Sequence, residues 1–190
     1  MKRFLTVGML AACCLFAGCD KEEEADDDII WDFATFSVGF HVKDAATGAD
    51  LLDPACESNI LGQPIAVTYD GKRYEPDPSQ ATDFFIHKSL LTRFLMPAPL
   101  ALRLHRLYTL KEENGKTTKN FLGYRLDFGE FTPCDDWHDQ EFTIEWGDGT
   151  SNTVRFDCCI VWRSRTDPDV LHPIWFDGKQ QSDWSITLRK

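Results

Sequence analysis

Residues 142–162 read FTIEWGDGTSNTVRFDCCIVW, and this stretch decides the class of fold. Before the Gly-Asp-Gly at 147–149, apolar Phe142, Ile144 and Trp146 alternate with polar residues. After it the same spacing continues through Val154, Phe156, Cys158, Ile160 and Trp162. A period of two is typical of a β-strand with one buried face, and glycine allows a tight turn between strands. The stretch therefore predicts an antiparallel hairpin, with Cys158 inward and Cys159 outward.

Alternation also extends away from this hairpin in both directions. Turn signals lie at Asp70-Gly71, Asn114-Gly115 and Asp177-Gly178, the pairs that favour two-residue hairpin loops. A change of phase near Arg106-Leu107 predicts a β-bulge, and residues 88–96 are the one candidate for a short helix. The predicted strands lie within 36–42, 65–69, 72–75, 83–87, 100–110, 122–128, 142–146, 154–162, 174–176 and 184–188. Residues 33–190 are thus predicted to form an all-β domain, a single antiparallel β-sandwich with at most one short helix.

The amino terminus has the pattern of an export signal. Lys2 and Arg3 precede an uncharged segment at 4–16 that is too short to span a bilayer as a helix. Phe16-Ala17-Gly18-Cys19 follows and resembles a bacterial lipobox, in which the cysteine is lipidated and becomes the mature amino terminus. Residues 1–18 are therefore interpreted as a lipoprotein signal peptide, and Cys19 as the lipidated residue that anchors the chain to a membrane.

A dense acidic segment follows this cysteine. Residues 20–28 contain seven acidic residues and one lysine, a composition that disfavours packing, so residues 19–32 are predicted to be a disordered tether. Such an acidic patch resembles the surface-export signal of Bacteroidota lipoproteins. The resemblance implies an outer-membrane anchor facing the cell exterior, and an anchor facing the periplasm is the alternative.

The folded part shows a family resemblance of its own. Residues 50–54 (DLLDP), the hairpin at 65–74 and the FTIEWGDGT at 142–150 resemble small surface or secreted lipoproteins of gut Bacteroidota. The resemblance covers most of residues 36–190 and implies an immunoglobulin-like sandwich. It carries no catalytic residue to this chain.

Four cysteines follow the proposed anchor: Cys56, Cys134, Cys158 and Cys159. An exported chain meets an oxidising compartment, so an even number of cysteines favours disulfides. Pairing the adjacent Cys158 and Cys159 would strain the backbone. The two cross-pairings with Cys56 and Cys134 remain open, as do free thiols.

Acidic residues supply the weak candidates for chemistry. Asp135, Asp136 and Asp139 lie in the segment PCDDWHDQE at 133–141, and Asp148 lies in the Gly-Asp-Gly turn. Carboxylates can hold calcium or act as a general acid and base. The spacing in 133–141 matches no calcium-binding loop, and a solvated acidic loop is the simpler interpretation there. For Asp148 the simpler interpretation is a structural turn. The segment WGDGT also resembles a turn of polycystic-kidney-disease-type sandwich domains.

Several classes of function lack support in the sequence. The five histidines form no metalloprotease motif, and no nucleophile elbow or phosphate-binding loop is present. The net charge of −11 disfavours nucleic-acid binding. The sequence therefore predicts a protein that is not an enzyme, with no cofactor; a hydrolase using the carboxylates of 135–141 is the most remote alternative.

The six tryptophans suggest a binding role instead. Trp146, Trp162 and Trp184 share the phase of predicted core faces, whereas Trp137 lies in the acidic segment and Trp175 is out of phase with its neighbours. Exposed aromatic rings stack on the apolar faces of sugars, so Trp137 and Trp175 are the candidate ligand-binding residues; half-buried lids over the sandwich ends are the alternative. The leading prediction is a lipid-anchored surface module that binds a glycan or a protein. A structural accessory subunit of a surface assembly is the alternative.

Overall fold

The computed structural model describes residues 33–77, 79, 81–86, 100–113, 115–164 and 166–190. These form twelve strands and one short 3-10 turn at Pro133–Asp135: β1 Phe36–Lys43, β2 Ala66–Tyr69, β3 Lys72–Tyr74, β4 Thr82–Phe85, β5 Leu102–Glu113, β6 Lys116–Phe131, β7 Trp137–Glu145, β8 Ser151–Ser164, β9 Asp167–Leu171, β10 Ile174–Phe176, β11 Lys179–Gln181 and β12 Ser185–Arg189. No helix within the described ranges is long and apolar enough to cross a membrane. The predicted signal peptide, tether and helix at 88–96 lie outside the described residues.

The strands form two sheets. The first has the order β12-β1-β6-β5-β4, and the second has the order β11-β10-β8-β7-β2-β3, with β9 paired to the far part of β8. Most neighbours are antiparallel, but β1 with β12 and β4 with β5 are parallel pairs. The prediction of an all-β antiparallel sandwich is confirmed, and the immunoglobulin-like subclass stays a prediction.

The core lies between the sheets, where the alternating apolar faces meet. Val38 and Phe40 of β1 face Phe142 and Phe156 of the other sheet, and all four side chains are fully or almost fully buried. Phe40 and Phe142 meet edge to face with ring centroids 6.4 Å apart. Burial of such side chains contributes about 1.5–3 kcal/mol each, so this apolar layer provides most of the driving force for folding.

The turn chemistry predicted from the sequence is present. Asp70 and Gly71 both have positive φ, as do Asp177 and Gly178, which is the backbone that a primed hairpin turn requires. The register of β5 with β6 shifts between Leu107 and Tyr108, next to the predicted change of phase, but the extra residue is Leu122 of β6.

Three burial predictions need correction. Trp162 is 51% exposed and Leu122 is 49% exposed, although their phase placed them on core faces. Both residues lie in the exposed parts of long strands, β6 and β8, where the alternation continues but burial does not. Cys159 was predicted to face outward, yet it is only 1% exposed.

The hairpin of β5 and β6 is the longest such extension. Exposure rises steadily from the base, where Leu104 and Leu126 are fully buried, to the turn at Gly115. We call its distal part, residues 108–113 and 115–124, the β5–β6 arm.

An ion cluster braces the base of this arm on the outer face of the first sheet. Arg125 Nη2 donates to Asp127 Oδ2 at 2.9 Å, and His105 Nε2 lies 3.5 Å from the same oxygen. Asp127 is only 4% exposed. The neighbouring Gly39 leaves room for it, since a Cβ there would lie 2.7 Å from Asp127 Oδ1 and from Arg125 Cδ. Burial lowers the pKa of His105, with Arg125 adding to the shift and Asp127 opposing it.

Candidate functional site

Four aromatic rings follow one another along the root of the β5–β6 arm. We call Phe85, Tyr108, Phe121 and Tyr124 the aromatic row. Neighbouring centroids are 5.8 Å apart for the first pair, 5.5 Å for the second and 5.4 Å for the third. Phe85 is 38% exposed and Phe121 is 46% exposed, so the row presents ring surface to solvent.

Strand pairing explains why these rings meet. In the parallel pair of β4 and β5, Phe85 is the partner of Tyr108, and across the antiparallel pair Tyr108 is the partner of Phe121. Directly paired residues project from the same face of a sheet. The register shift between Leu107 and Tyr108 skips Leu122 of β6, so that Phe121 is the residue paired with Tyr108.

The base of the row is fixed by a carboxylate outside the sheet. Asp50 Oδ2 accepts a hydrogen bond from the backbone N–H of Tyr124 at 3.1 Å and lies 2.9 Å from Lys43 Nζ. The residue before Tyr124 is Gly123, with φ of 138°, and a Cβ there would lie 2.8 Å from the same Asp50 oxygen. Glycine is therefore required where the carboxylate approaches the strand.

Charged groups border the row. Lys119 Nζ lies 4.8 Å from the ring centroid of Phe85 and 5.7 Å from that of Tyr108, a cation–π arrangement. Asp83 lies 3.6 Å from Lys119 Nζ and 2.9 Å from Arg106 Nε. Desolvation raises the pKa of the Tyr124 hydroxyl. The site thus offers ring faces together with hydrogen-bond donors and acceptors at their edge.

The two tryptophans predicted to form a binding face lie on opposite sides of one sheet. Trp137 pairs with inward-facing Cys158 and packs edge-on to Phe131, with centroids 5.4 Å apart. Its buried Nε1 has no hydrogen-bond partner among the described residues. Trp175 pairs with exposed Arg155, whose guanidinium lies 5.3 Å from the indole. The two rings therefore do not form one platform, and their half-buried positions match the alternative reading.

The acidic candidates are tied to local partners. Asp135 ends the 3-10 turn, Asp136 Oδ1 lies 3.0 Å from His138 Nε2, and Asp139 forms a salt bridge with Arg155. The carboxylates of Asp136 and Asp139 each face a basic side chain, which differs from the paired carboxyl groups that glycoside hydrolysis uses.

Asp148 has a structural role in its turn. Its carboxylate accepts from the backbone N–H of Thr150 at 2.9 Å and from Lys190 Nζ at 2.7 Å. The bond to Lys190 is the largest of the influences that lower its pKa. These bonds support the turn interpretation over the calcium ligand.

All four cysteines after residue 32 are free thiols, so neither predicted cross-pairing is formed. The physical reason is their placement: Cys158 faces the core 3.8 Å from the carbonyl oxygen of Phe131, whereas Cys56 Sγ lies 3.3 Å from Ser58 Oγ in a loop. Desolvation raises the pKa of Cys158 to about 12 and also raises that of Cys159. Nucleophilic cysteines have a lowered pKa instead, so neither buried thiol has that activation.

The aromatic row itself was not predicted. Phe85 and Tyr108 lie in strands that were predicted from the sequence. Their parallel pairing was not predictable, because the two strands are joined by a long connection and no local sequence pattern marks them as partners. The exposed pair of adjacent phenylalanines, Phe84 and Phe85, was the available hint.

Comparison of the chain with protein-family models, with curated proteins and with solved structures found no match.

Proposed function

We propose that this protein is a lipid-anchored, non-enzymatic binding module of the outer-membrane surface, and that its ligand is a glycan. The observation that carries the proposal is the aromatic row, an unbroken set of ring contacts that is exposed at Phe85 and Phe121. The anchor is supported by the signal-like segment before Cys19.

The exposure of the row supports a binding role. Isolated apolar residues on a surface are ordinary, but contiguous aromatic surface is typical of binding sites. Phe85 and Phe121, the two exposed rings of the row, are not among the residues that form the core or pack against it. Binding of another molecule is therefore the simplest explanation for the contiguous exposed rings.

The polar border favours a sugar as the ligand. Rings that stack on the apolar face of a sugar leave its hydroxyl groups at the edge, where Lys119 donates and Asp83 accepts. The charges at this edge include both signs and the whole chain is acidic, which favours a neutral glycan over an acidic one.

A glycan array tests this proposal, with Phe121→Ala as the variant and Trp162→Ala as the matched control. Trp162 is an exposed aromatic residue in the other sheet. We expect binding by the wild type and by Trp162→Ala, and at least an approximately tenfold weaker affinity for Phe121→Ala, since one stacked ring contributes about 1–3 kcal/mol. Equal affinity of all three proteins, or no bound glycan, would contradict it.

The anchor is tested separately. Mass spectrometry of the protein purified from its native membrane should find an acylated amino terminus at Cys19, and protease treatment of intact cells should remove the domain. An unmodified amino terminus at another residue would disprove the anchor, whereas protection from protease would indicate the periplasm-facing alternative.

A second candidate function, an accessory subunit of a surface assembly, is favoured by a different patch. Val161 and Leu171 lie on the same face of the paired strands β8 and β9 and are 46% and 47% exposed. Apolar surface of this kind is common in protein interfaces. Pull-down from solubilised membranes should then recover a partner in fixed ratio, and Val161→Ser should lose that partner while Phe121→Ala retains it.

A further inference from the structure

Three different metal-binding side chains converge beside the 3-10 turn. Asp136, His138 and Cys159 each offer one ligand atom, and these atoms all lie within 4.8 Å of one another. The closest pair is Asp136 Oδ1 and His138 Nε2, at 3.0 Å. The three residues come from the end of the turn and from two neighbouring strands, so the tertiary structure assembles the group.

A β-bulge places the histidine. The register of β7 and β8 shifts between the pairs Trp137–Cys158 and Gln140–Phe156, so two residues of β7 lie opposite one residue of β8. Trp137 and Cys158 face the core, and their successors His138 and Cys159 therefore lie on the outer face. Bulges often redirect a side chain beside a functional site.

The backbone around this group is held in an unusual conformation. Asp136 and Asp139 have φ of 56° and 51°, in the left-handed region that few residues other than glycine adopt. The backbone N–H of Asp139 donates to Asp157 Oδ1 at 2.7 Å, which holds the bulge. Asp136 is in this way turned back toward His138 after the chain leaves the 3-10 turn.

Burial differs across the three ligands in a way that suits a metal. Cys159 is 1% exposed, whereas the side chains of Asp136 and His138 are 71% and 61% exposed. The thiol therefore forms the floor of the site, and the imidazole and carboxylate form its mouth.

The donor set selects the class of metal. Sulfur and imidazole nitrogen are preferred by zinc and related transition metals, whereas calcium and magnesium take oxygen ligands. Ligand distances of about 2.0–2.3 Å from zinc require the ligand atoms to lie roughly 3–4 Å apart. Side-chain rotation of the exposed His138 and Asp136 supplies the small closure that this needs.

We propose that Asp136, His138 and Cys159 bind a divalent transition-metal ion of the zinc class, with a fourth position open to water or a ligand. This site is independent of the glycan-binding proposal, because the aromatic row lies in the other sheet.

The test is a titration of the reduced, purified full chain with Co²⁺, a spectroscopic substitute for Zn²⁺. The wild type should develop thiolate-to-cobalt charge-transfer absorption that saturates at one ion per chain and disappears when Zn²⁺ is added. Cys159→Ser should lose this absorption. His138→Gln and Asp136→Asn should each weaken Co²⁺ affinity at least about tenfold, since even indirect ligand support contributes 10–100-fold.

Matched controls come from the same segment. Cys134→Ser removes an exposed thiol of the 3-10 turn, and Asp139→Asn removes a carboxylate that faces Arg155; both should bind Co²⁺ like the wild type. Because Cys159 is buried, folding of its serine variant is verified by circular dichroism, and His138→Gln tests the site at an exposed residue. The proposal would be overturned if the wild type showed no charge-transfer absorption, or if this absorption persisted in Cys159→Ser. An unchanged Co²⁺ affinity of His138→Gln would also overturn it.

Discussion

The protein contains two sets of touching aromatic rings that differ in their surroundings. The interior set contains Phe131, whose centroid lies 4.4 Å from that of Phe156 and 6.1 Å from that of Phe128. The aromatic row has similar spacings, from 5.4 to 5.8 Å. All three interior rings are fully buried, whereas Phe85 and Phe121 of the row are more than one-third exposed.

This difference separates stability from binding. The interior rings lie where two sheets cover each other, so their removal leaves a cavity in the core. In the row, Tyr124 packs against the core, but Phe85 and Phe121 stay exposed, so these two rings contribute surface more than core packing. Similar local contacts therefore serve different purposes, and burial determines which purpose applies.

The largest expected effect is on the interior set. Phe131→Ala should lower the free energy of unfolding by about 3–5 kcal/mol, because it removes a fully buried ring and leaves a cavity. Urea denaturation followed by tryptophan fluorescence measures this loss. A loss below about 1 kcal/mol would mean that the interior set does not hold the sheets together.

A second prediction tests the ion cluster that braces the arm. Asp127→Ala should lower the free energy of unfolding by about 3 kcal/mol, because it leaves the guanidinium of Arg125 partly buried without its partner. The double variant Asp127→Ala with Arg125→Ala should recover part of that loss in the same urea experiment. A double variant as unstable as the sum of the single variants would contradict the pairing.

The third prediction concerns stability at the row. Phe121→Ala should lower the free energy of unfolding by about 1 kcal/mol or less, since its exposed ring gains only the contacts with Tyr108 and Tyr124. Direct comparison with Phe131→Ala in urea checks it. Equal losses in the two variants would erase the distinction between the two aromatic sets.

The smallest expected effect lies far from both sets, at Asp148. Because the folded-state pKa of Asp148 is lowered, its carboxylate stabilises the fold above the unfolded value of about 3.9, and this contribution is lost as the pH falls through the folded-state pKa. The difference in unfolding free energy between the wild type and Asp148→Asn should be a few tenths of a kcal/mol at pH 7, as for other exposed ion pairs. It should shrink as the pH is lowered below about 4. Urea titrations at several pH values measure it, and a difference that grows on acidification would contradict the assignment.

Local pattern was sufficient for much of the fold. The alternation in β1 and β7 and the Asp-Gly turns were readable because they depend on neighbours in sequence. The change of phase along β5 located the irregularity to within one residue, but it did not reveal that the extra residue, Leu122, lies in β6.

Burial beyond the core was not readable from the pattern. Trp162 has the same phase as Phe156, yet one is exposed and the other is buried. The alternation of side chains along a strand indicates which face of the sheet a residue is on. Whether that face is buried depends on the opposite sheet.

The candidate sites show the same limit. Asp136 and His138 were visible together in one segment, but Cys159 joins them only through the pairing of Trp137 in β7 with Cys158 in β8. Phe85 and Tyr108 are separated by the connection between two parallel strands.

By itself, then, the sequence determined that residues 33–190 are built from β-strands with one apolar face each, because side-chain alternation is a property of the extended backbone. Only the tertiary structure decided which of those faces became core, which became the exposed aromatic row, and which three ligands came together, because these outcomes depend on contacts between strands distant in sequence.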